Sequence, residues 1–294
     1  MFEDNFNANA WKRLINFCMP VSEITPVEII PDNKRTYDKC LNVLKAFFTK
    51  GVGRRSPLKG FLFEGVPGTG KTELVRQIAR GVIDIKPSSR FKTTDDKEAY
   101  QIAMGKRKMD SYNKGPERFF LFIDGATIAT PKWGDAESIL QAVFSFHNFL
   151  EEGGSKYGKI ADPRVIVLFD DIESLMLART SEIAKEWHYS INAVLFHELD
   201  RVDASKTFVF ATTNKPELVD DALRDRLYSI KFKPPKRESL LEIAKRLLWD
   251  AGVSERMQVE ILKAVEEKLK EKKLPTIRDM EREVIVQCVE RKAW

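Results

Sequence analysis

Phe61-Leu-Phe63-Glu-Gly65-Val66-Pro67-Gly68-Thr69-Gly70-Lys71-Thr72-Glu73 decides the fold. It reads as an apolar strand, a glycine-rich turn and a helix opening at Lys71. The turn fits G-x-x-x-x-G-K-[ST], and a strand before it with a helix after it is the context that pattern needs. The glycines let backbone N–H groups curl around phosphate without a Cβ in the way, and the helix start adds its positive end. On this reading Gly65–Glu73 cradle the phosphates of ATP. Lys71 reaches the β- and γ-phosphates, and the Thr72 hydroxyl ligates Mg²⁺.

Further strands and helices alternate on either side. Asp32–Phe48 has Tyr37, Leu41, Leu44 and Phe48 on one helical face. Phe119–Asp124, Val165–Phe169, Thr207–Thr212 and Tyr228–Phe232 read as strands, with helices expected over 137–151 and 181–202. Val165–Phe169 is the most apolar run, which predicts a central strand covered on both faces. Pro234-Pro235 breaks the alternation, and 236–251, 255–273 and 276–291 read as three amphipathic helices. The expected fold is therefore an α/β P-loop unit, with a mostly parallel sheet of five strands flanked by helices, and a small all-helical lid. The expected divisions are a leader (1–26), the α/β unit (27–234) and the lid (235–294).

Two more elements of the site follow from strand ends. Val165-Ile-Val-Leu-Phe-Asp170-Asp171 ends in paired acids at the carboxyl edge, where parallel sheets place ligands. Asp170 is expected at Mg²⁺ and Asp171 at the attacking water, with a helix-capping role as the structural alternative for Asp171. Thr212-Thr-Asn214 ends the next strand and brings an amide toward the γ-phosphate.

At these residues the chain resembles the AAA branch of the AAA+ ATPases, from about Val27 onward. Gly65–Thr72 matches Walker A, Phe169–Leu175 Walker B and Ala211–Asn214 sensor 1. Lys132-Trp133-Gly134 is similar to the first pore loop, Ala222–Leu227 to the arginine-finger segment, and Thr276–Glu281 to the lid helix that carries sensor 2. Glu173–Arg179, Ile191–Leu195 and the Asp-Arg-Leu ending at Leu227 look closest to the meiotic-checkpoint ATPases that remodel HORMA-domain proteins, and to their bacterial counterparts.

The resemblance implies a Mg-ATP hydrolase working as a homo-oligomeric ring, a hexamer, that remodels or unfolds a protein substrate, directly or through an adaptor; the three scattered cysteines and the lack of a signal-peptide pattern at the start lead to an expected cytoplasmic location. The resemblance also implies Arg226 as the finger given to a neighbouring subunit, with Arg224 its nearest rival. It implies Arg278 as a phosphate clamp, and Lys132 and Trp133 as the pore-loop grip. A Trp buried under the sheet and an ordinary surface ion pair are the structural alternatives for Trp133 and Arg278. Three departures stand out: the second Walker B acid is Asp171 where Glu is usual, the pore loop is one residue short, and the leader is too small for a recruiting domain. Two other functions stay open. One is a DNA-directed ATPase of the initiator or loader type, helped by the basic Lys86–Arg118 insertion and opposed by Trp133. The other is a slow ATP-binding switch, favoured by Asp171.

Composition sets outer bounds. Of 294 residues 43% are hydrophobic and 32% charged, as expected of a folded globular chain. Lys plus Arg exceed Asp plus Glu by 49 to 44, an excess too small and too dispersed to imply nucleic acid. No basic flank precedes an apolar run at the start, so no signal peptide is expected, and no run is long enough to span a bilayer. Cys18, Cys40 and Cys288 are far apart and read as plain buried thiols, and the three histidines lack metal-ligand spacing.

Overall fold

The computed structural model describes residues 9–83, 118–124, 135–175, 186–271, 273 and 275–293. Its strands are β1 (Cys18–Pro20), β2 (Gly60–Glu64), β3 (Arg118–Asp124), β4 (Arg164–Asp170), β5 (Thr207–Thr213) and β6 (Tyr228–Lys231). They form one sheet in the order β1-β3-β4-β5-β2-β6. The five expected strands are all present and mutually parallel. A sixth, β1, adds to β3 antiparallel, Met19 opposite Phe120.

Side-chain alternation explains the layers. Leu62, Leu121, Val165, Val167 and Val209 face one side and join a cluster with helices α3 (Asp135–Phe144), α4 (Phe146–Glu152) and α5 (Glu186–Arg201). Phe61, Phe63, Ile166, Leu168, Phe208 and Phe210 face the other side, against α1 (Pro31–Lys50) and α2 (Lys71–Arg80). Expected central, β4 is buried along its length up to Asp170. The helix read over 137–151 is interrupted at Ser145, whose hydroxyl bonds back to the Gln141 carbonyl at 2.8 Å, a competitor of the helical ladder.

After α6 (Asp221–Arg226) and β6, the helices α7 (Arg237–Asp250), α8 (Glu255–Lys270) and α9 (Ile277–Glu290) enclose a core of their own around Leu240, Leu248, Ile261, Val265, Met280 and Val284. Their periodicity was legible because each buries one stripe and leaves charges outside. Cys18, Cys40 and Cys288 are buried thiols, as their spacing suggested. Among the described residues no helix is long and apolar enough to cross a membrane.

The described part of the leader packs into both core clusters. Ala10, Leu14 and Cys18 are buried in one core cluster, Val21 and Ile24 in the other. The Trp11 indole stacks on Phe149 with centroids 5.6 Å apart and donates to the Ala142 carbonyl at 3.1 Å. Residues 22–27 are then strapped to α2. Arg80 donates to the Ile24 carbonyl at 2.6 Å, and Gln77 donates to the Thr25 carbonyl at 2.9 Å while accepting from the Val27 amide at 3.1 Å. Because Leu14 is 2% exposed, Leu14→Ala is expected to lower the unfolding free energy by about 3 kcal/mol. A denaturation curve shifted by less than a tenth of that would mean the leader is an appendage to the core.

Candidate functional site

Strand order builds the site. Since β5 lies between β2 and β4, the residues ending β5 sit between the turn after β2 and the acids ending β4. Lys71, 5% exposed, donates to the Gly65 carbonyl at 2.8 Å, the Val66 carbonyl at 3.0 Å and Asn214 Oδ1 at 2.7 Å. Burial lowers its pKa, and Asp171, Asp170 and Glu173 act against that shift. Thr72 Oγ1 donates to Asp170 Oδ1 at 2.8 Å, and Thr212 Oγ1 donates to the same oxygen at 2.5 Å. Residues of the Gly65–Thr72 turn, Asp170, Asp171 and Asn214 thus meet in one cleft.

Asp171 is held in an unusual way. Its backbone is left-handed, φ 49° and ψ 54°, a region that Asp tolerates better than longer side chains. Its amide donates to Thr212 Oγ1 at 3.1 Å and its Oδ1 accepts from Asn214 Nδ2 at 2.6 Å. Burial raises its pKa, reinforced by Asp170 and Glu173 and opposed by Lys71. Glu173 is engaged through Oε1 by the Asn214 amide at 3.1 Å.

The lid closes on the turn. The Ile277 amide donates to the Gly68 carbonyl at 2.9 Å, and a Cβ at Gly68 (φ +72°) would stand 2.8 Å from Thr276 Oγ1. Gly68 must be glycine both for its backbone and for this approach. Arg278 thereby lines the cleft with Lys71, Thr72, Asp170 and Asn214. Beside the cleft lies a recess formed by Val27, Ile29, Ile30, Leu74, Ile243 and Ile277. Arg246 of the lid pairs with Glu28 at its rim, 2.9 Å away. The recess shares Gly70, Glu73, Ile277 and Glu281 with the cleft. The sequence signal for it was slight: Val27, Ile29 and Ile30 just before Pro31, interrupted by Glu28. Thr212 was missed too, inside a quoted motif.

The donor set fits Mg²⁺. A hydroxyl and a carboxylate, Thr72 and Asp170, meet beside the phosphate turn, and Mg²⁺ binds through one or two such oxygens completed by phosphate and water. Among the described residues no group of three or more His, Cys, Asp or Glu could hold a metal by itself.

Arg226 is not in the cleft. It precedes β6, whose Tyr228 pairs with Phe61 at the amino end of β2, whereas the turn leaves the carboxyl end beyond Glu64. The five residues of β2 separate these edges by roughly 16 Å. There Arg226 Nε and Nη2 grip Asp200 of α5 at 2.8 Å each, and the guanidinium lies 4.9 Å from the Phe196 ring. Arg224 instead reaches Glu64, the last residue of β2, at 2.9 Å and Asp221 at 2.7 Å. Lys132 and Trp133 lie outside the described residues, as does most of Lys86–Arg118.

Residues 61–235 match the model of the family described as ATPase family associated with various cellular activities (AAA). An AAA ATPase forming ring-shaped complexes from Corynebacterium efficiens is 29% identical over 66% of this chain and 31% of its own length. A proteasome-associated ATPase of Kineococcus radiotolerans is 27% identical over 71% of this chain and 32% of its own length. The chain therefore spans about a third of the length of these relatives. A chain of the E. coli MS115-1 HORMA:CdnC:Trip13 complex superposes with a TM-score of 0.55 over 86% of this chain and 81% of its own, at 16% identity. At that identity the likeness concerns the fold alone.

The Asp171 geometry generates a prediction. Asn keeps the left-handed backbone but cannot take a proton, so Asp171→Asn is expected to reduce ATP turnover by at least about 10²-fold without weakening ATP binding. Asp171→Glu adds backbone strain and length against Asn214, and is expected to lower turnover too. Steady-state phosphate release with parallel binding titrations checks both. An unimpaired Asp171→Asn enzyme would pass the role to Glu173.

Proposed function

Because the chain belongs to the AAA family of ATPases, we propose that it binds Mg-ATP between Gly65–Thr72 and the lid, hydrolyses it, and works as a hexameric ring that remodels a protein substrate. The observation that carries the reading is the position of Arg226. The cleft gathers Lys71, Thr72, Asp170, Asp171, Asn214 and Arg278 but leaves the finger-segment arginine at the opposite edge of the sheet. A cation there serves a cleft only if that cleft belongs to a neighbour. The relatives named for ring-shaped complexes support the same assembly.

In this mechanism the Gly65–Thr72 backbone and Lys71 bind and orient the phosphates. Thr72 and Asp170 hold Mg²⁺, which when bound neutralises charge on the β- and γ-phosphates. Asn214 bridges Lys71 to Asp171, so it can aim Asp171 at a water and keep Lys71 in place. Asp171 takes the proton as that water attacks. Arg278 closes over the phosphates from the lid, and Arg226 of the adjacent subunit steadies charge in the transition state. Lys132 and Trp133 grip an unfolded segment through apolar and backbone contacts, so that lid movement becomes work on substrate. A slow switch that holds ATP is the second reading, favoured by the hydrogen bond occupying Asp171.

Arg226→Ala is expected to leave ATP affinity within about twofold and to cut turnover roughly 10³-fold or more in assembled rings. Full turnover in an assembled Arg226→Ala protein would remove the argument for a ring. Trp133→Ala should keep ATP turnover and the melting temperature but lose work on a protein substrate. A melting temperature falling as for a buried Trp, a loss of about 3–5 kcal/mol, would overturn the pore-loop role.

A further inference from the structure

ATP places a sugar between its phosphates and its base. Here the phosphate cleft and the apolar recess share four walls: Gly70, Glu73, Ile277 and Glu281. Gly70 has no side chain and Ile277 offers only hydrocarbon, so among these four shared walls the polar side-chain groups are the two carboxylates, with Asn33 Nδ2 beside Gly70 on the recess side, 3.8 Å from a Cβ built there. Glu73 Oε1 is already engaged by Gln77 Nε2 at 2.6 Å, and Gln77 in turn holds the leader. Glu281 is half-buried one helical turn beyond Arg278, and among the described residues no hydrogen bond or ion pair engages its carboxylate. Burial raises its pKa, with Arg278 acting against the shift.

A carboxylate beside a polyphosphate opposes the binding of that ligand by like-charge repulsion. It also leaves acceptor lone pairs in a partly dry passage, at a cost unless donors meet them. The sugar's 2′- and 3′-hydroxyls are the donors a nucleotide brings to that point. From the shared walls and the open acceptors, we propose that Glu281 is a specificity-determining residue that accepts hydrogen bonds from the ribose hydroxyls and selects ribonucleotides over their deoxy analogues. A site built to bond a hydroxyl rejects the analogue lacking it more strongly than an apolar site can reject an added group. The lid residue would then report on the sugar while Arg278, on the same helix, reports on the phosphates. This inference rests on the reading of the cleft as an ATP site.

The test is calorimetric binding of ATP, 2′-deoxy-ATP and 3′-deoxy-ATP to the full chain and to Glu281→Ala and Glu281→Gln, with melting curves for each variant. Wild type is expected to bind ATP about ten-fold more tightly than at least one deoxy analogue, the size of one hydrogen bond to a charged group. Glu281→Ala should bring the ratio to within about twofold of unity, and Glu281→Gln, which keeps an acceptor, should fall between. A residue that only positions Arg278 would weaken all three ligands equally. Equal weakening, an unchanged ratio in Glu281→Ala, or no discrimination by wild type would each overturn the inference while leaving the ATP site intact. Lys71→Ala, expected to lose all three ligands, is the separate control. Failure of wild type to bind any of them would overturn the ATP site and this inference together.

Discussion

Lys71 carries an ammonium into a cleft where it is 5% exposed, and such burial is tolerated only when every proton of the cation has an acceptor. Two of those acceptors are carbonyls of the turn it belongs to, and the third is Asn214 at the end of β5. The constraint spreads from there. To supply Asn214, β5 must lie beside β2, and to supply the counter-charge of Asp170 and Asp171, β4 must lie beside β5. The strand order therefore satisfies a single buried charge as well as covering apolar faces. The same side-chain amide that accepts from Lys71 donates to Asp171, so the buried cation and the acid proposed to act on the water are held by one side chain.

A second set of contacts ties this edge to both ends of the described chain. Gly68 meets the start of α9 without room for a methyl group, and Arg246 of α7 pairs with Glu28 just ahead of α1. The lid thus touches the Gly65–Thr72 turn and the rim of the apolar recess, while Gln77 and Arg80 anchor the leader to the helix that begins at Lys71. A ligand filling cleft and recess would bear on three elements at once. Arg226 is outside this set, gripped by Asp200 at the far edge, and that separation makes a second subunit a chemical requirement of the proposed mechanism.

How far the residues alone revealed this depended on whether the signal was local. The phosphate turn, the apolar strands ending in Asp170 and Asn214, and the striped helices of the lid were legible because each declares itself within a dozen residues. The edge strand Cys18–Pro20 was not, since three residues carry no period and its pairing with β3 is antiparallel and distant in sequence. The apolar recess was not legible for a similar reason, its walls coming from the stretch 27–30 ahead of α1 and from α2, α7 and α9. The left-handed backbone of Asp171 depends on Thr212 reaching across from β5, which no reading of the Asp170-Asp171 pair would disclose. The Ser145 interruption needed the local hydroxyl-to-carbonyl bond to be seen.

In the proposed mechanism each working site is shared between two copies of the chain, one giving Lys71 and its cleft, the other giving Arg226. Mixing two inactive proteins tests it most directly. Lys71→Ala keeps its finger, and Arg226→Ala keeps its cleft, so a mixed ring contains composite sites with both. ATP turnover, absent from either protein alone, is expected to return when the two are co-assembled and to peak at intermediate ratios. A mixture that assembles and stays as inactive as its components would contradict it.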